Sequence, residues 1–102
     1  MTNSSTRAAK ILSDAASLVG GDRARTHGDC VLQHTKVAQM WSAYLSARYG
    51  GSPPLTAEDV CHCLTMLKWS RGMSAPFNPD NAIDAVGYEA IAGVCAESER
   101  MK

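Results

Sequence analysis

A glycine-rich stretch between two predicted helices carries side chains that could bind an anion. It runs from residue 20 to residue 29 and reads GGDRARTHGD. Arg23 and Arg25 offer guanidinium groups to phosphate oxygens, and Thr26 and His27 add further hydrogen-bond donors. The glycines allow close backbone approach, and the N–H groups at the start of the next helix favour a negative charge. The stretch therefore predicts an anion site, with a solvated linker between two helices as the alternative.

Two cations near the end of the third predicted helix are further candidates for the same ligand. Lys68 and Arg71 lie about one turn apart on one face. On the last predicted helix, Asp80, Asp84 and Tyr88 are spaced at i, i+4 and i+8 and lie along one edge. This arrangement fits an ion-pair network between the two helices, and it also fits a polar pocket wall.

The triplet of Cys61, His62 and Cys63 has metal-binding residue types but an unsuitable spacing. On a helix the two cysteines point to nearly opposite sides, and the spacing matches no common zinc pattern. We expect Cys63 in the core and His62 at the surface. The spacing of the triplet therefore argues against a metal site.

Composition bounds the class of protein. The chain has 102 residues, 45% of them hydrophobic and 20% charged, which is typical of one globular domain. Its ten basic and ten acidic residues give no overall field that would attract a nucleic acid polymer or an anionic membrane. There is no apolar run long enough to span a bilayer and no signal-peptide pattern at the start. We expect a cytoplasmic location and no membrane partner.

Apolar periodicity and capping residues predict an all-α fold, a compact bundle of about four helices in one domain over residues 1–102. The helices are expected from Ser4 or Ser5 to Gly20, from Cys30 to Arg48, from Thr56 to Gly72, and from Pro79 to Ser98. Residues 1–5 and 98–102 are expected to fray. The buried stripes are expected at Val60, Cys63, Leu64 and Leu67 on the third helix, with Met66 as a further candidate, and at Ala82, Ile83, Val86, Ala90, Ile91 and Val94 on the last. A domain this small buries a modest core, which favours association with copies of itself.

The order of several short motifs resembles a family of small phage-encoded, all-helical proteins. The motifs are Arg-x-Arg-Thr-His-Gly-Asp at 23–29, Ala-x-x-Trp-Ser-Ala-Tyr at 38–44, Thr-x-Glu-Asp-Val at 56–60, Leu-Lys-x-x-Arg at 67–71 and Asn-Pro-Asp-x-x-x-Asp-x-x-Gly-Tyr at 78–88. The resemblance covers roughly residues 8–96, and the family is distantly similar to the MazG-like nucleotide pyrophosphohydrolases. It implies a MazG-like helical fold, a nucleotide-related function and a dimer or tetramer.

The chain departs from the acidic pattern that the MazG-like hydrolases use to bind Mg²⁺. Those enzymes typically carry Glu-x-x-Glu on one helix and an acid pair on the next, whereas the second helix here offers Gln33, His34 and Gln39. The clustered acids that remain are Glu58, Asp59, Asp80 and Asp84. Since a magnesium site needs several carboxylates together with substrate phosphates, the departure favours binding without hydrolysis and without a metal cofactor.

The leading hypothesis is therefore a phage-type protein that sequesters a signalling nucleotide and so blocks host antiviral signalling. The ligand would be a cyclic di- or oligonucleotide or a relative of cyclic ADP-ribose, with its base stacked on an aromatic side chain. The predicted ligand-binding residues are Arg23, Arg25, Thr26, His27, Trp41, Lys68, Arg71 and Tyr88. One alternative is a Mg²⁺-dependent pyrophosphohydrolase with Glu58, Asp59, Asp80 and Asp84 as metal ligands. Another is a helical protein-interaction module that binds no nucleotide.

Overall fold

The computed structural model describes residues 3–21 and 28–101, and the regular structure within them is entirely helical. The four helices are α1 (Ser4–Gly20), α2 (Cys30–Tyr49), α3 (Ala57–Ser74) and α4 (Pro79–Arg100). The predicted all-α class is confirmed. Asn3 caps α1, one residue before the earlier of the two expected caps, and α4 continues two residues beyond the expected end at Ser98. Each helix in the described residues is too short or too polar to cross a membrane.

Short-range capping interactions set the starts of α3 and α4. The Thr56 hydroxyl accepts a hydrogen bond from Asp59 N at 3.2 Å, and the Asp59 carboxylate accepts one from Thr56 N at 2.9 Å. Asn78 caps α4 by accepting from Asp80 N at 2.9 Å, and Pro79 occupies the first turn, where no backbone N–H is needed. Both caps confirm the start signals in the sequence, because these bonds depend only on residues within one turn.

The helical hairpin of α3 and α4 forms the centre of the fold. The two helices are joined by residues 75–78 and make the most extensive contact in the protein. α1 packs on α4, and α2 packs mainly on α3. A small core forms at the α2 end of the hairpin, from Ala57, Cys61, Ala92 and Cys95, with Val31 and Ile91 packed against it.

The buried face of α3 differs from the predicted one. Cys61 is fully buried whereas Cys63 is exposed, so the expectation of Cys63 in the core is wrong. Met66 and Leu67 are exposed as well. The inward positions are 57, 60, 61, 64, 65 and 68, which follow the helical repeat but include the polar residues Thr65 and Lys68. Burial, followed by the neighbouring Cys95, raises the pKa of the Cys61 thiol to about 12, so this cysteine serves packing and is a poor nucleophile.

The contacts of α4 also differ from the predicted apolar stripe. Ala82, Ala90 and Val94 are exposed, and the buried residues are Ala85, Gly87, Ala92 and Cys95. These residues are small because α4 is packed on two sides, by α3 and by α1. A Cβ atom on Gly87 would lie 3.3 Å from Val19 Cγ2, which is tighter than most such contacts, so the Val19 side chain would have to shift. Gly87 therefore allows the close approach of α1.

His62 links α3 to α4 through two carboxylates. Its Nε2 lies 3.0 Å from Glu58 Oε2 on the same helix, and its Nδ1 lies 2.9 Å from Glu89 Oε2 on α4. The Thr65 hydroxyl donates to the same Glu89 oxygen at 2.7 Å. Because only the doubly protonated ring can donate from both nitrogens, hydrogen bonds to Glu58 and then Glu89 raise the pKa of His62. The Thr65 hydroxyl first, and then His62, lower the pKa of Glu89.

These shifts predict a pH window for the stability that His62 supplies. Because the pKa of His62 is higher in the folded protein than in the unfolded chain, His62 contributes fully to stability at pH values below the ordinary histidine pKa of 6.5. This contribution is lost as the pH rises through the pKa of His62 in the folded protein. The Glu89 contribution has the opposite sign and is lost as pH falls below its ordinary value of 4.5. We expect His62→Gln to lower the urea concentration at the midpoint of unfolding at about pH 6, and to have a midpoint close to that of the wild type at about pH 9.

Glu89→Gln is the matched control for this measurement, because it retains a hydrogen-bond acceptor for His62 but removes the carboxylate charge. In that background the pH dependence of the effect of His62→Gln should shrink. A difference between wild type and His62→Gln that stays constant from acidic to alkaline pH would contradict the assignment.

Candidate functional site

A cavity of about 700 Å³ lies where the end of α1 and the start of α2 meet the middle of the α3–α4 hairpin. Its apolar wall is made of aliphatic side chains from all four helices, namely Leu18, Val19, Val37, Leu64 and Ile91. This volume lies in the range of pockets that hold drug-sized ligands and cofactors. The cavity is therefore large enough for a nucleoside or a nucleotide.

The polar wall comes from the first turns of α2 and from one edge of α4. It consists of Asp29, Gln33, His34, Asp84 and Tyr88. Among the described lining residues the fully charged groups are the two carboxylates, and there is no lysine or arginine. The described wall suits hydrogen-bond donors on a ligand, such as amino groups and hydroxyls, better than it suits a phosphate.

Local bonds fix the polar groups that α2 contributes. Asp29 is the N-cap of α2, where its Oδ2 accepts a hydrogen bond from Leu32 N at 2.8 Å. His34 Nδ1 lies 2.7 Å from the carbonyl oxygen of Cys30. Since a carbonyl can only accept, Nδ1 carries the proton, and Nε2 of the neutral ring is the acceptor. The start of α2 thus presents a carboxylate and an imidazole in defined orientations.

The described residues on either side of the predicted anion-binding stretch lie at or near this cavity. Arg23, Arg25, Thr26 and His27 lie outside the described residues. The residue that follows them, Gly28, lines the cavity with a φ of 77°, a left-handed conformation that favours glycine. On the other side, Gly21 comes two residues after the cavity-lining Val19.

The other predicted ligand-binding residues are only partly gathered at the cavity. Tyr88 lines it, and Lys68 reaches its edge through an ion pair with the lining residue Asp84, at 3.0 Å. Arg71 is exposed at the end of α3. Trp41 is half-buried on α2 and is not among the lining residues. Of the polar edge predicted on α4, Asp84 and Tyr88 line the cavity and Asp80 does not.

Three of the four acids of the alternative magnesium site have separate partners. Glu58 bonds His62, Asp59 caps α3, and Asp84 pairs with Lys68. Asp80 is exposed in the first turn of α4. In residues 3–21 and 28–101, no group of three or more His, Cys, Asp and Glu side chains is placed to hold a metal ion.

Sequence reasoning missed the contribution of α2 to the cavity. Asp29, Gln33 and Val37 recur at i, i+4 and i+8, and His34 follows Cys30 by four residues. This spacing would have shown that they share one edge of a helix. It could not have shown that the edge faces α4, because that depends on tertiary packing.

The fold is that of a small all-α protein with a cavity lined by all four helices. The chain belongs to a family that is described as a domain of unknown function, DUF6378, which matches residues 10–96. It is 31% identical over 81 residues to the Gene 55 protein of Mycobacterium phage L5. The match covers 79% of this chain and 49% of that protein, so the chain spans about half of the length of its phage relative. No solved structure matches the chain.

These comparisons confirm the coarser part of the resemblance, a small phage protein whose function is not established. The finer part, similarity to the MazG-like hydrolases, is not shown by them.

Proposed function

We propose that the protein binds a small phosphorylated nucleotide in the cavity and sequesters it without hydrolysis. The observation that carries this proposal is the cavity of about 700 Å³, whose wall includes Gly28, the glycine that follows the arginine-bearing stretch in the sequence. A cavity of this size with an apolar wall and a few polar groups is the usual form of a small-molecule site.

The charges of the described wall determine which end of the nucleotide enters. Asp29 and Asp84 would repel a phosphate but can accept hydrogen bonds from a base amino group or a ribose hydroxyl. Tyr88 supplies an aromatic surface in the same wall. We therefore place the nucleoside end inside the cavity and leave the phosphates to Arg23 and Arg25.

In a phage setting this activity would remove a host signal. The ligand we propose is a signalling nucleotide of the cyclic di- or oligonucleotide type or the cyclic ADP-ribose type, and its capture would block host antiviral signalling. The similarity to a phage gene product supports the setting. The separate partners of Glu58, Asp59 and Asp84, and the exposed position of Asp80, favour capture over Mg²⁺-dependent hydrolysis.

The test is to identify nucleotides that co-purify with the protein. Protein purified from infected cells is heat-denatured, the released nucleotides are identified by mass spectrometry, and calorimetry then measures a panel of cyclic nucleotides and dNTPs with and without Mg²⁺. We expect an intact ligand at near-stoichiometric yield. Arg23→Ala combined with Arg25→Ala should weaken binding at least about tenfold, since each lost charge-assisted hydrogen bond costs roughly 1.5–3 kcal/mol.

Arg7→Ala combined with Arg100→Ala is the matched control, because it removes two exposed arginines from α1 and α4. Absence of binding to every nucleotide would overturn the proposal. Pyrophosphate release from dNTPs that requires Mg²⁺ would replace capture by hydrolysis.

A further inference from the structure

The described polar wall of the cavity accepts hydrogen bonds more readily than it donates them. The carboxylates of Asp29 and Asp84 only accept. The His34 ring donates from Nδ1 to a backbone carbonyl oxygen of its own helix at 2.7 Å, which leaves Nε2, an acceptor, as the ring nitrogen for a ligand. Gln33 and Tyr88 can each donate or accept. A ligand group that satisfies this wall must therefore bring several N–H or O–H donors of its own.

Of the two carboxylates, Asp29 has the greater capacity to receive a base. Lys68 Nζ lies 3.0 Å from Asp84 Oδ2, so a ligand at Asp84 meets an ion pair. At Asp29, Leu32 N donates to Oδ2 at 2.8 Å and uses one of the about four lone-pair positions of the carboxylate. This bond is the N-cap of α2, so it also holds the carboxylate in place. Asp29 is thus a positioned acceptor that can take two further N–H groups side by side.

Guanine is the common base whose donors have this arrangement. Its N1–H and its amino group are adjacent on one edge, so both can donate to one carboxylate, as the paired N–H groups of an arginine do. In adenine and cytosine the amino group is adjacent to an acceptor nitrogen, which would face a carboxylate oxygen and repel it. Uracil and thymine have a single N–H between two carbonyl groups. The edge of guanine therefore fits Asp29 better than the edge of any of these bases.

We propose that the ligand of the cavity is a guanine nucleotide, whose N1–H and amino group donate to the Asp29 carboxylate. This inference rests on the proposed function, since it names the base of the nucleotide. Tyr88 lines the same cavity and supplies an aromatic surface for stacking. Stacking tolerates every base, so the selection of guanine comes from Asp29.

The proposal is tested by calorimetry with the full chain and with nucleotides that differ only in the base. The probes are the monophosphates GMP, IMP and AMP, and the pair cyclic di-GMP and cyclic di-AMP. In each series that binds, we expect the guanine nucleotide to bind at least about tenfold more tightly than the adenine nucleotide, because adenine loses charge-assisted hydrogen bonds to Asp29. IMP keeps the N1–H but lacks the amino group, so its affinity should lie between those of GMP and AMP.

Asp29→Asn separates base recognition from folding, because asparagine is as good an N-cap as aspartate, and circular dichroism checks the helix content. The amide N–H group of the variant would meet the donors of guanine, so GMP affinity should fall at least about tenfold and the preference over AMP should be lost. XMP has an oxygen atom in place of the amino group of GMP. It should bind the variant more tightly than it binds the wild type, a gain that misfolding cannot produce.

Asp14→Asn is the matched control, because it makes the same change at an aspartate of α1 whose side chain is 41% exposed and which is not among the residues that line the cavity. It should leave the guanine preference unchanged. Equal affinities for guanine and adenine nucleotides would overturn this inference and leave the proposed function standing, and so would an Asp29→Asn variant that keeps the guanine preference. Absence of binding to every nucleotide, including the dNTPs, would overturn both.

Discussion

Asp84→Ala is expected to lower the free energy of unfolding by about 2–3 kcal/mol. Asp84 Oδ2 lies 3.0 Å from Lys68 Nζ, and only 14% of the Lys68 side chain and 25% of the Asp84 side chain are exposed. Removal of the carboxylate leaves a poorly hydrated ammonium group without its counter-ion inside the hairpin. Urea unfolding of wild type and variant measures the loss.

Two comparisons separate this effect from a general cost of losing an acid. Lys10 and Asp14 form an ion pair of similar length on α1, but 76% and 41% of their side chains are exposed. Asp14→Ala should cost less than about 1 kcal/mol, since solvent screens that pair. Lys68→Met in the Asp84→Ala background should recover much of the loss, because it removes the stranded charge. Equal losses of unfolding free energy in Asp84→Ala and Asp14→Ala would show that the partly buried Lys68–Asp84 pair stabilises the protein no more than the exposed pair does.

The same pair constrains how Lys68 could act on a ligand. A phosphate that takes Lys68 must compete with Asp84, whose carboxylate is already at hydrogen-bonding distance. Lys68 is therefore a weaker candidate for the phosphate than its sequence position indicated. The nucleoside end remains the part of the ligand that the described wall fits.

The starts of α3 and α4 could be read from the sequence because local chemistry sets them. The capping box of Thr56 and Asp59, and the Asn78 cap followed by Pro79, each involve residues within a single turn. The inward face of α3 could not be read in the same way. Its inward side includes Thr65 and Lys68 while its outward side includes Met66 and Trp69, so hydrophobicity hardly varies around the helix.

Sequence spacing singled out only one edge of the cavity wall. The spacing of Asp80, Asp84 and Tyr88 predicted a polar edge of α4 that fits an ion-pair network or a pocket wall, and in the structure Asp84 and Tyr88 line the cavity while Asp84 also pairs with Lys68. On α2 the spacing of Asp29, Gln33 and Val37 places them on one edge of the helix, but the direction of that edge depends on tertiary packing. Trp41 is a predicted ligand-binding residue only because its aromatic ring could stack on a base, and residue type does not determine which side of a helix meets a cavity.

Tyr88→Ala is expected to weaken nucleotide binding about 5- to 150-fold, which corresponds to the 1–3 kcal/mol of one base stacked on an aromatic side chain. Tyr88 lines the cavity from α4, between the carboxylate of Asp84 and the aliphatic wall at Ile91. Truncation removes the aromatic surface but leaves both carboxylates in place. Calorimetry with the nucleotide that binds the wild type measures the change.

Tyr44→Ala is the matched control, because this tyrosine is exposed on α2 and does not line the cavity. Its loss should leave affinity unchanged. Tyr88→Phe separates the ring from the hydroxyl: near-normal affinity indicates stacking, and a loss similar to that of Tyr88→Ala indicates a hydrogen bond. If Tyr88→Ala and Tyr44→Ala bind alike, the base does not stack on Tyr88.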